Sequence, residues 1–331
     1  MPTRRQTCAA LGAAALGVLP TAKPSLAQSP AAQDYPSRTV RIIVSGSQGG
    51  TTDLLARLAG AHLGEVMKQA FIIDNSPSGL GVIAAETVAN APPDGYTLLA
   101  GYHQHTVNAA MGQRLSYHPV NSFSPIAQLT ASGLMLLVHP SSPAKTLKEF
   151  LVWAKASRES LNYGSAGIGS GGHLGGELLK MMTGIKAQHL PYKGTGPAIT
   201  DLLAGRYDFI FAAQQGTPST MVRAGRLRNL AFTAGKRVSA WPQIPAMAEE
   251  LPGFEVTGWY GILGPANLPT TIVTRLNDEI RKLLAQPAVR ERIIADGSEP
   301  VGHSPEEFGQ MLLADMGKWV KLVRETGLKF E

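Results

Sequence analysis

The sequence predicts a two-lobed α/β protein, and three observations lead to that prediction. Short apolar and β-branched runs alternate with stretches of helical periodicity, a pattern typical of largely parallel sheets covered by helices. The pattern occurs in two blocks, beginning near residues 40 and 134, and each contains a strand, a glycine-rich loop and a helix. With 331 residues, 44% of them hydrophobic, the chain is long enough for two domains with substantial cores.

The first block begins with a β-branched run and continues into leucines at helical spacing, Leu54, Leu55, Leu58 and Leu63. A Pro-Pro-Asp-Gly turn at 92–95 separates its last helix from its last strand. The predicted elements are a strand at 40–44, a glycine loop at 45–53, a helix from residue 54, a strand at 71–74, a helix at 83–89 and a strand at 96–100.

The second block repeats this alternation, and a return strand then leads to three C-terminal helices. The predicted strands are 134–138, 161–163, 208–211, 227–232 and the return strand 256–263. The predicted helices are 147–156, 173–182, 198–204, 218–223, 271–285, 288–295 and 305–325, with a second glycine-rich turn at 164–172.

Residues 1–27 have the three parts of a secretory signal. These are a charged start, an apolar centre and an A-x-A-like cleavage site, namely Arg4-Arg5, residues 9–19 and Ser25-Leu26-Ala27. The arginine pair resembles a twin-arginine signal, but residues 6–8 lack the bulky apolar side chains expected there, so both export routes stay open. The apolar centre is about half of the ~20 residues that cross a bilayer, which predicts an exported, periplasmic protein without a membrane span of its own.

Charge and cysteine usage exclude several classes of function. The formal net charge of +6 includes three basic residues of the predicted signal, and the other Lys and Arg residues are interspersed with acids. There is no basic stripe with interleaved aromatics, so the sequence does not indicate nucleic-acid binding. Cys8, the only cysteine, lies inside the predicted signal. The exported chain would therefore lack disulfides, thiolate metal sites and cysteine catalysis.

The first glycine loop has the pattern of an anion site. Ser47, Gln48, Gly49, Gly50 and Thr51 join a strand end to a helix start. Glycines allow close approach to the backbone, and the helix start offers unsatisfied N–H groups and about half a positive charge. No lysine follows the glycines, so this is not a nucleotide-binding P-loop. The alternative interpretation is a plain strand–helix turn.

The second glycine loop, residues 167–172, formally matches G-x-G-x-x-G. A dinucleotide fold requires an acid about 20 positions later for the ribose, whereas residues 188–200 contain none. The loop therefore favours a compact anion, and the candidate residues are Ser165, Ala166, Gly169 and Ser170. Two such loops, one in each block, predict that both face the same small acid.

A third candidate segment follows the strand at 96–100 and contains His103, Gln104, His105 and Thr106. Ligand sites of α/β proteins gather at the carboxyl ends of strands, so this segment is expected to line the pocket. Two histidines separated by one residue could also ligate a metal, but no cysteine, H-E-x-x-H pattern or acidic cluster accompanies them. We therefore expect no metal and no other cofactor.

The sequence gives little indication of catalysis. No serine lies in a G-x-S-x-G elbow, and no carboxylate pair lies in a glycine loop. Asp53, Asp208 and Glu177 are explained as a helix-start acid, a strand-edge acid and a solvated helix face. We therefore expect that the protein is not an enzyme.

Eight short blocks in order make the chain resemble the Bug-type, or TctC-like, receptors of tripartite tricarboxylate transporters, over about residues 35–329. The blocks are Tyr35-Pro36-Ser37-Arg38, Gly49-Gly50-Thr51-Thr52-Asp53, Ala91-Pro92-Pro93-Asp94-Gly95-Tyr96-Thr97-Leu98-Leu99, Leu161-Asn162-Tyr163-Gly164-Ser165-Ala166-Gly167, His173-Leu174, Pro191-Tyr192-Lys193-Gly194, Ala224-Gly225-Arg226-Leu227-Arg228 and Gly258-Trp259-Tyr260-Gly261.

The resemblance implies a type II periplasmic-binding-protein fold, in which two α/β lobes joined by two crossovers close over a ligand cleft. The first lobe would comprise residues 33–132 and 258–331, and the second residues 133–257. Backbone groups of residues 47–50 would bind a ligand carboxylate, and the other two segments would complete the pocket. The implied partners are the ligand and the membrane subunits of the transporter, and a monomer is expected.

Two departures from the family pattern bear on the ligand. The family usually has Pro-Phe-x-Ala before the paired glycines, where this chain has Ser45-Gly46-Ser47-Gln48. The family often places an acid after the strand at 208–211, suited to a ligand ammonium, where this chain has Ala212-Ala213-Gln214. A small carboxylate without an amine is therefore expected, with Gln214 as a further binding residue. Two alternatives stay open: a receptor that signals to a membrane sensor kinase, and an exported hydrolase.

Overall fold

The structure is a computed structural model that describes residues 35–76, 79–112 and 114–328. The predicted export signal lies outside these residues. Among the helices that the structure describes, none is both long enough and apolar enough to cross a bilayer.

The described residues form ten strands and ten α-helices. The strands are β1 Val40–Val44, β2 Phe71–Asn75, β3 Thr97–Tyr102, β4 Phe123–Val138, β5 Leu161–Ser165, β6 Ala187–Pro191, β7 Phe209–Ala213, β8 Arg228–Phe232, β9 Thr257–Pro265 and β10 Glu299–Pro300. The helices are α1 Thr51–Met67, α2 Val82–Ala89, α3 Gln104–Val107, α4 Leu147–Ala156, α5 Gly171–Thr183, α6 Thr195–Leu203, α7 Thr217–Arg223, α8 Thr270–Ala285, α9 Pro287–Ala295 and α10 Pro305–Thr326.

The strands have the order β2-β1-β3-β9-β4-β7-β5-β6, with β8 and β10 paired to β4. The pairs β1–β2, β1–β3, β5–β6 and β5–β7 are parallel, as the alternation of strands and helices predicts. The strands β4 and β9 are antiparallel to their neighbours, so each sheet is mixed where the prediction was largely parallel. The fold is the predicted two-lobed α/β architecture of the type II periplasmic binding proteins.

The prediction for β4 was too short. It covered only residues 134–138, whereas β4 begins at Phe123 and passes from the first sheet into the second. Its first part pairs with β9 down to Gly133, and its last part, from Leu134, pairs with β7 and β8. The first part was missed because it contains Pro125 and the buried polar Gln128 and Thr130, which interrupt the alternation of apolar and polar residues. Helices α8 and α10 both pack on β4.

Helix α10 packs against both sheets. Phe308 and Leu312, near its start, join the hydrophobic cluster around β3 and β9, together with Trp259. Trp319 and Leu322, two turns further on, belong to the cluster of the second sheet. The C-terminal helix therefore lies across the crossover region and contributes to the cores on both sides of it.

Candidate ligand-binding site

The first glycine loop connects β1 to α1 and leaves the start of α1 without a side-chain cap. Gly49 has φ +77°, a left-handed conformation that glycine adopts without strain, and Gly50 is the N-cap residue. The N–H of Gly49 donates to Asp53 Oδ2 at 2.9 Å, and that of Gly50 donates to Ser47 O at 3.1 Å. Two of the predicted donors are thus used inside the loop. The first helical N–H groups, those of Thr51 and the next residue, have no intrahelical acceptor. They have no backbone acceptor among the residues that the structure describes, so they can bind a ligand.

Asp53 holds the loop in this shape. Its Oδ2 also accepts from Arg57 Nε at 2.9 Å, and its Oδ1 accepts from Asn75 Nδ2 at 2.9 Å. The hydrogen bond from Arg57, followed by those from Gly49 and Asn75, lowers the pKa of Asp53 to about 2 although burial acts against it. The carboxylate is therefore charged, and both of its oxygens accept hydrogen bonds that stabilise the loop, as expected for a helix-start acid.

The third predicted segment forms α3, and three of its four candidate residues are buried. His105 stacks on Tyr117, and its Nε2 forms a hydrogen bond of 2.7 Å with Pro119 O. Because that carbonyl can only accept, Nε2 carries the proton. Gln104 Nε2 donates to Asn108 Oδ1 at 3.0 Å. These contacts place His105 and Gln104 in the packing of the first lobe.

Thr106 and His103 lie beside a buried carboxylate of α10. Thr106 Oγ1 donates to Asp315 Oδ2 at 2.6 Å, and Trp259 Nε1 donates to the same oxygen at 3.3 Å. Lys318 forms an ion pair with Asp315 Oδ1 at 3.2 Å. His103 Nδ1 is buried without a hydrogen-bond partner among the residues described. Burial lowers the pKa of His103, which favours the neutral ring at neutral pH.

The second glycine loop is held by two stacked histidines. The rings of His173 and His189 lie 3.9 Å apart, centroid to centroid, at an interplanar angle of 10°. Gly169 N donates to His173 Nδ1 at 3.0 Å, and Ser165 Oγ lies 2.6 Å from His189 Nε2. Ser170 caps α5 by accepting from His173 N at 3.3 Å.

Ala166 also takes part in this loop, since its carbonyl accepts from Gly194 N at 3.1 Å. The N–H of Gly169 and the hydroxyls of Ser165 and Ser170 therefore already have partners within the second lobe. The loop is well ordered by its own hydrogen bonds, and any contact with a ligand would add to them.

The prediction that Glu177 lies on a solvated helix face is wrong. Its side chain is buried, Tyr163 Oη donates to its Oε1 at 2.7 Å, and Lys180 Nζ lies 2.8 Å from the same oxygen. Burial, with the nearby charge of Glu177, raises the pKa of Tyr163. The helical pattern of α5 could have indicated this, because Leu174, one turn before Glu177, and the adjacent Leu178 are both core residues.

Gln214 follows β7, as predicted, and connects the second lobe with the loop after α9. It is 2% exposed, and its Nε2 donates to Gly297 O. Its Oε1 is buried without a hydrogen-bond partner in the described part of the chain. An orphaned buried acceptor is costly, so this oxygen is available for a donor that enters the cleft.

A cavity of about 480 Å³ lies between α1 and α7. Four of the predicted site residues line it, namely Gly49, Gly50, Thr51 and Gln214. The candidates of the third segment and of the second glycine loop are not part of its lining. The other lining residues are Leu54, Leu55, Leu58, Gln215, Gly216, Ser219, Thr220, Arg223, Ala240, Trp241, Arg292, Ile293, Ala295, Asp296, Gly297 and Ser298.

This wall of the cavity is not among the predicted site residues, although part of its signal is present in the sequence. The sequence shows Leu54, Leu55 and Leu58 only as leucines at helical spacing, without an indication that they line a cavity. Ser219 and Arg223 of α7, also at helical spacing, line the same cavity. Within the part of the chain that the structure describes, no group of three His, Cys, Asp or Glu residues could hold a metal ion.

The buried histidines predict a loss of stability in mild acid. Burial lowers the pKa of His105 to about 4, and burial together with the adjacent His173 lowers that of His189 to about 4, from 6.5. Between pH 6.5 and 4 the unfolded chain binds more protons than the folded one. The free energy of unfolding therefore has its full value above about pH 6.5 and falls as the pH drops towards 4. The loss due to His105 is on the order of 3 kcal/mol.

Urea unfolding at pH 7.0 and pH 4.5 tests this expectation, and pH 4.5 lies above the range in which Asp53 is protonated. The substitution His105→Gln keeps a donor for the Pro119 carbonyl and should reduce the difference between the two pH values. His139→Gln, at a half-buried histidine whose Nδ1 lies 2.7 Å from Ser141 Oγ, is the control and should leave the difference unchanged. An equal free energy of unfolding at both pH values would contradict the prediction.

Known proteins similar to this chain agree on its family. The family model described as "Tripartite tricarboxylate transporter family receptor" matches residues 55–328. Protein BugT of Bordetella pertussis is 30% identical over 305 residues, which cover 91% of this chain and 93% of BugT. The UPF0065 protein in the tcbD-tcbE intergenic region of Pseudomonas sp. strain P51 is 32% identical over 296 residues, covering 89% and 88%.

Two solved structures are also similar. Rpa4515 of R. palustris with adipate has a TM-score of 0.72 and 34% identity, and covers 89% of this chain and 99% of its own. MatC (Rpa3494) from Rhodopseudomonas palustris with bound malate has a TM-score of 0.67 and 32% identity, and covers 87% and 100%. The chain therefore belongs to the tripartite tricarboxylate transporter receptors, the Bug or TctC family of periplasmic solute-binding proteins.

Proposed function

We propose that the protein is an extracytoplasmic receptor that captures a small carboxylate without an amine and delivers it to the membrane subunits of a tripartite tricarboxylate transporter. One observation carries the proposal. The uncapped start of α1 opens onto a cavity that residues of both predicted lobes line. Helix starts bind anions through free N–H groups and the positive end of the helix dipole.

The absence of an acid at position 214 supports an amine-free ligand. Gln214 is neutral and offers an oxygen that needs a donor but carries no charge to balance an ammonium group. The two similar structures named above contain adipate and malate, which are carboxylates without an amine. A bound ammonium group would lose hydration without gaining an ionic partner at this position.

We place the first lobe at residues 33–132 and 258–331, and the second at residues 133–257. This division is supported by the change of sheet along β4 at Gly133–Leu134 and by the start of β9 at Thr257. Lys318 Nζ donates to Glu255 O at 3.1 Å and Ser239 N donates to Glu299 Oε1 at 2.6 Å, across the proposed boundary. Such contacts would change when the lobes open and close.

The residues of the second glycine loop and of the segment 103–106 complete the proposed site as supporting parts. Closure would bring the loop at residues 165–170 towards the cavity, where it would cover the ligand and exclude water. An exported, monomeric protein whose signal is cleaved after Ala27 is part of the same proposal. We do not favour a hydrolase, because Ser165, whose hydroxyl lies 2.6 Å from His189 Nε2, is fully buried and out of reach of a substrate.

A thermal-shift screen of the mature protein with a broad set of carboxylates tests the proposal. At a concentration of 100 times Kd, a ligand stabilises the folded state by about 2.7 kcal/mol, which corresponds to a rise in Tm on the order of 5 °C. We expect such a rise for at least one amine-free acid and none for the matched amino acid. No shift with any carboxylate, or equal shifts with aspartate and succinate, would contradict the proposal.

A further inference from the structure

The two glycine loops are held by acceptors of different chemistry. In the first loop, Gly49 N donates to the carboxylate of Asp53, whose pKa is about 2. In the second loop, Gly169 N donates to the ring nitrogen Nδ1 of His173 at 3.0 Å. An imidazole ordinarily changes its charge near pH 6.5. Of these two acceptors, only the one in the second loop can therefore gain a proton in mild acid.

The hydrogen bond from Gly169 requires a neutral His173. A ring nitrogen accepts through its lone pair, so Nδ1 carries no proton in this arrangement. A proton added there would turn the acceptor into a donor that points at the N–H of Gly169. Gly167 and Gly169 have φ +135° and +76°, which other residues rarely adopt. The shape of this flexible backbone therefore depends on hydrogen bonds such as the one to His173.

A second histidine makes a positive charge on His173 more costly. The ring of His189 stacks on that of His173, with centroids 3.9 Å apart and an interplanar angle of 10°. Burial lowers the pKa of both rings, and the charge of His173 lowers that of His189 further. The ordered loop is therefore compatible with two neutral rings and opposes the protonation of either one.

The elements around the pair do not supply a free negative charge among the residues that the structure describes. Glu177 and Lys180 of α5 are the charged groups that act on both rings. The carboxylate of Glu177 already accepts from Lys180 Nζ at 2.8 Å and from Tyr163 Oη of β5 at 2.7 Å. Strand β7 and helix α10 pack on α5 through apolar side chains, such as Phe211 and Trp319. A protonated His173 would therefore gain little compensation for its lost hydration.

We infer that His173 is an acid-sensitive positioning residue of the second glycine loop. Its neutral ring holds Gly169 and keeps residues 165–170 in the shape that covers the ligand, and a proton at Nδ1 releases the loop and with it the ligand. The inference rests on the proposed function, in which closure places this loop over the ligand, and adds a pH-dependent release to it. Below about pH 6.5 the released loop binds more protons than the ordered loop, so acid favours release.

Hydrogen exchange of the mature protein, followed by mass spectrometry between pH 7.0 and 5.0, tests the release of the loop without a ligand. After correction for the intrinsic exchange rate, the protection of residues 165–170 should fall by about tenfold or more, because a protonation equilibrium changes tenfold per pH unit. The first glycine loop, residues 47–50, is the internal control. It should keep its protection, because Asp53 stays charged over this range.

Three variants separate the titration of His173 from other effects of acid. His173→Asn places an amide oxygen near the position of Nδ1, so Gly169 keeps an acceptor that does not titrate and the fall in protection should disappear. Lys180→Gln removes a positive charge that lowers the pKa of His173, so the fall should begin at a higher pH. This variant keeps the test available if His173→Asn does not fold. His139→Gln is the matched control, at a half-buried histidine directly after β4, and should leave the response unchanged.

Calorimetric titration at pH 7.0 and 5.0 tests the release of the ligand. The probe is adipate, or the acid of the screen that binds most tightly if adipate does not bind. Protonation of the probe itself weakens binding equally in every variant. The measure is therefore the ratio of the two Kd values in the unsubstituted protein, divided by the same ratio in His173→Asn. We expect this quotient to be about three or more.

Constant protection of residues 165–170, or an equal fall in His173→Asn, overturns the inference while the proposed function stands. A fall in protection with a quotient near one shows that the loop opens without releasing the acid, which refutes the coupling to the ligand. If no acid of the screen binds at pH 7.0, the proposed function fails, and the exchange measurement still decides whether His173 holds the loop in a pH-dependent way.

Discussion

We expect the substitution Gly50→Asp to abolish carboxylate binding without unfolding the protein. Gly50 has φ −76° and ψ 167°, which any residue adopts, and it is the N-cap of α1 without a side-chain cap. An aspartate there would accept the hydrogen bonds of the first turn with its own carboxylate and would repel a bound anion. Losing two charge-assisted hydrogen bonds weakens binding by on the order of a hundredfold or more.

A graded series of variants at this position isolates the cause. Gly50→Ala adds only a methyl group, 3.1 Å from Ser47 O, and leaves the amides free, so binding should stay within about threefold after a small adjustment of the loop. Gly50→Asn caps the helix without a charge and should give an intermediate loss. Calorimetry and urea unfolding together measure both effects. If Gly50→Asp binds carboxylates as well as the unsubstituted protein, the anion does not bind at the start of α1.

The largest loss of stability is expected from Gly176→Ala, in the middle of α5. A β-carbon at Gly176 would lie 2.2 Å from Cε2 of Tyr163, far closer than van der Waals contact. The ring cannot move aside, because it stacks between His189 and Phe209, with centroids 5.0 Å and 5.5 Å away, and its hydroxyl is bonded to Glu177. We expect a loss of about 3 kcal/mol, although alanine is the better helix former by about 1 kcal/mol.

Gly317→Ala in α10 is the matched control, since nothing lies within 4 Å of its added β-carbon and the residue is exposed. It should raise the free energy of unfolding by about 0.5–1 kcal/mol, through helix propensity alone. Urea unfolding of both variants at pH 7 provides the comparison. Equal stability of Gly176→Ala and the unsubstituted protein would show that α5 can shift away from Tyr163.

Local elements were predictable because their signals come from adjacent residues. The strand at 40–44 and the helix at 147–156 match residue for residue, and most other helices differ by one to three residues at their ends. The prediction missed β6, because its polar Gln188 and His189 interrupt the apolar run, and it missed α3, which is only one turn long. Both are held by neighbours distant in the sequence: β6 by its parallel pairing with β5, and α3 by the carboxylate of Asp315.

The candidate site was predictable only in part. The candidate site at residues 49–51, which line the cavity, follows from glycines before a helix, and Gln214 follows from the resemblance to the receptor family. Trp241 and Arg292 carried no such signal, because each is an ordinary residue in its local sequence. They line the cavity because tertiary packing brings distant chain segments together. Composition and periodicity carry no information about that packing. The convergence of the second glycine loop on the same ligand stays a prediction.

The sequence by itself determined the fold class, the two glycine loops before helices and the expectation of an anionic ligand. These properties depend on residues a few positions apart, where backbone geometry and the helix dipole act directly. Only the tertiary structure decided that residues of α1, α7 and the end of α9 line one cavity. That arrangement depends on how long-range packing places segments nearly 250 residues apart, such as Gly49 and Ser298, around the same space.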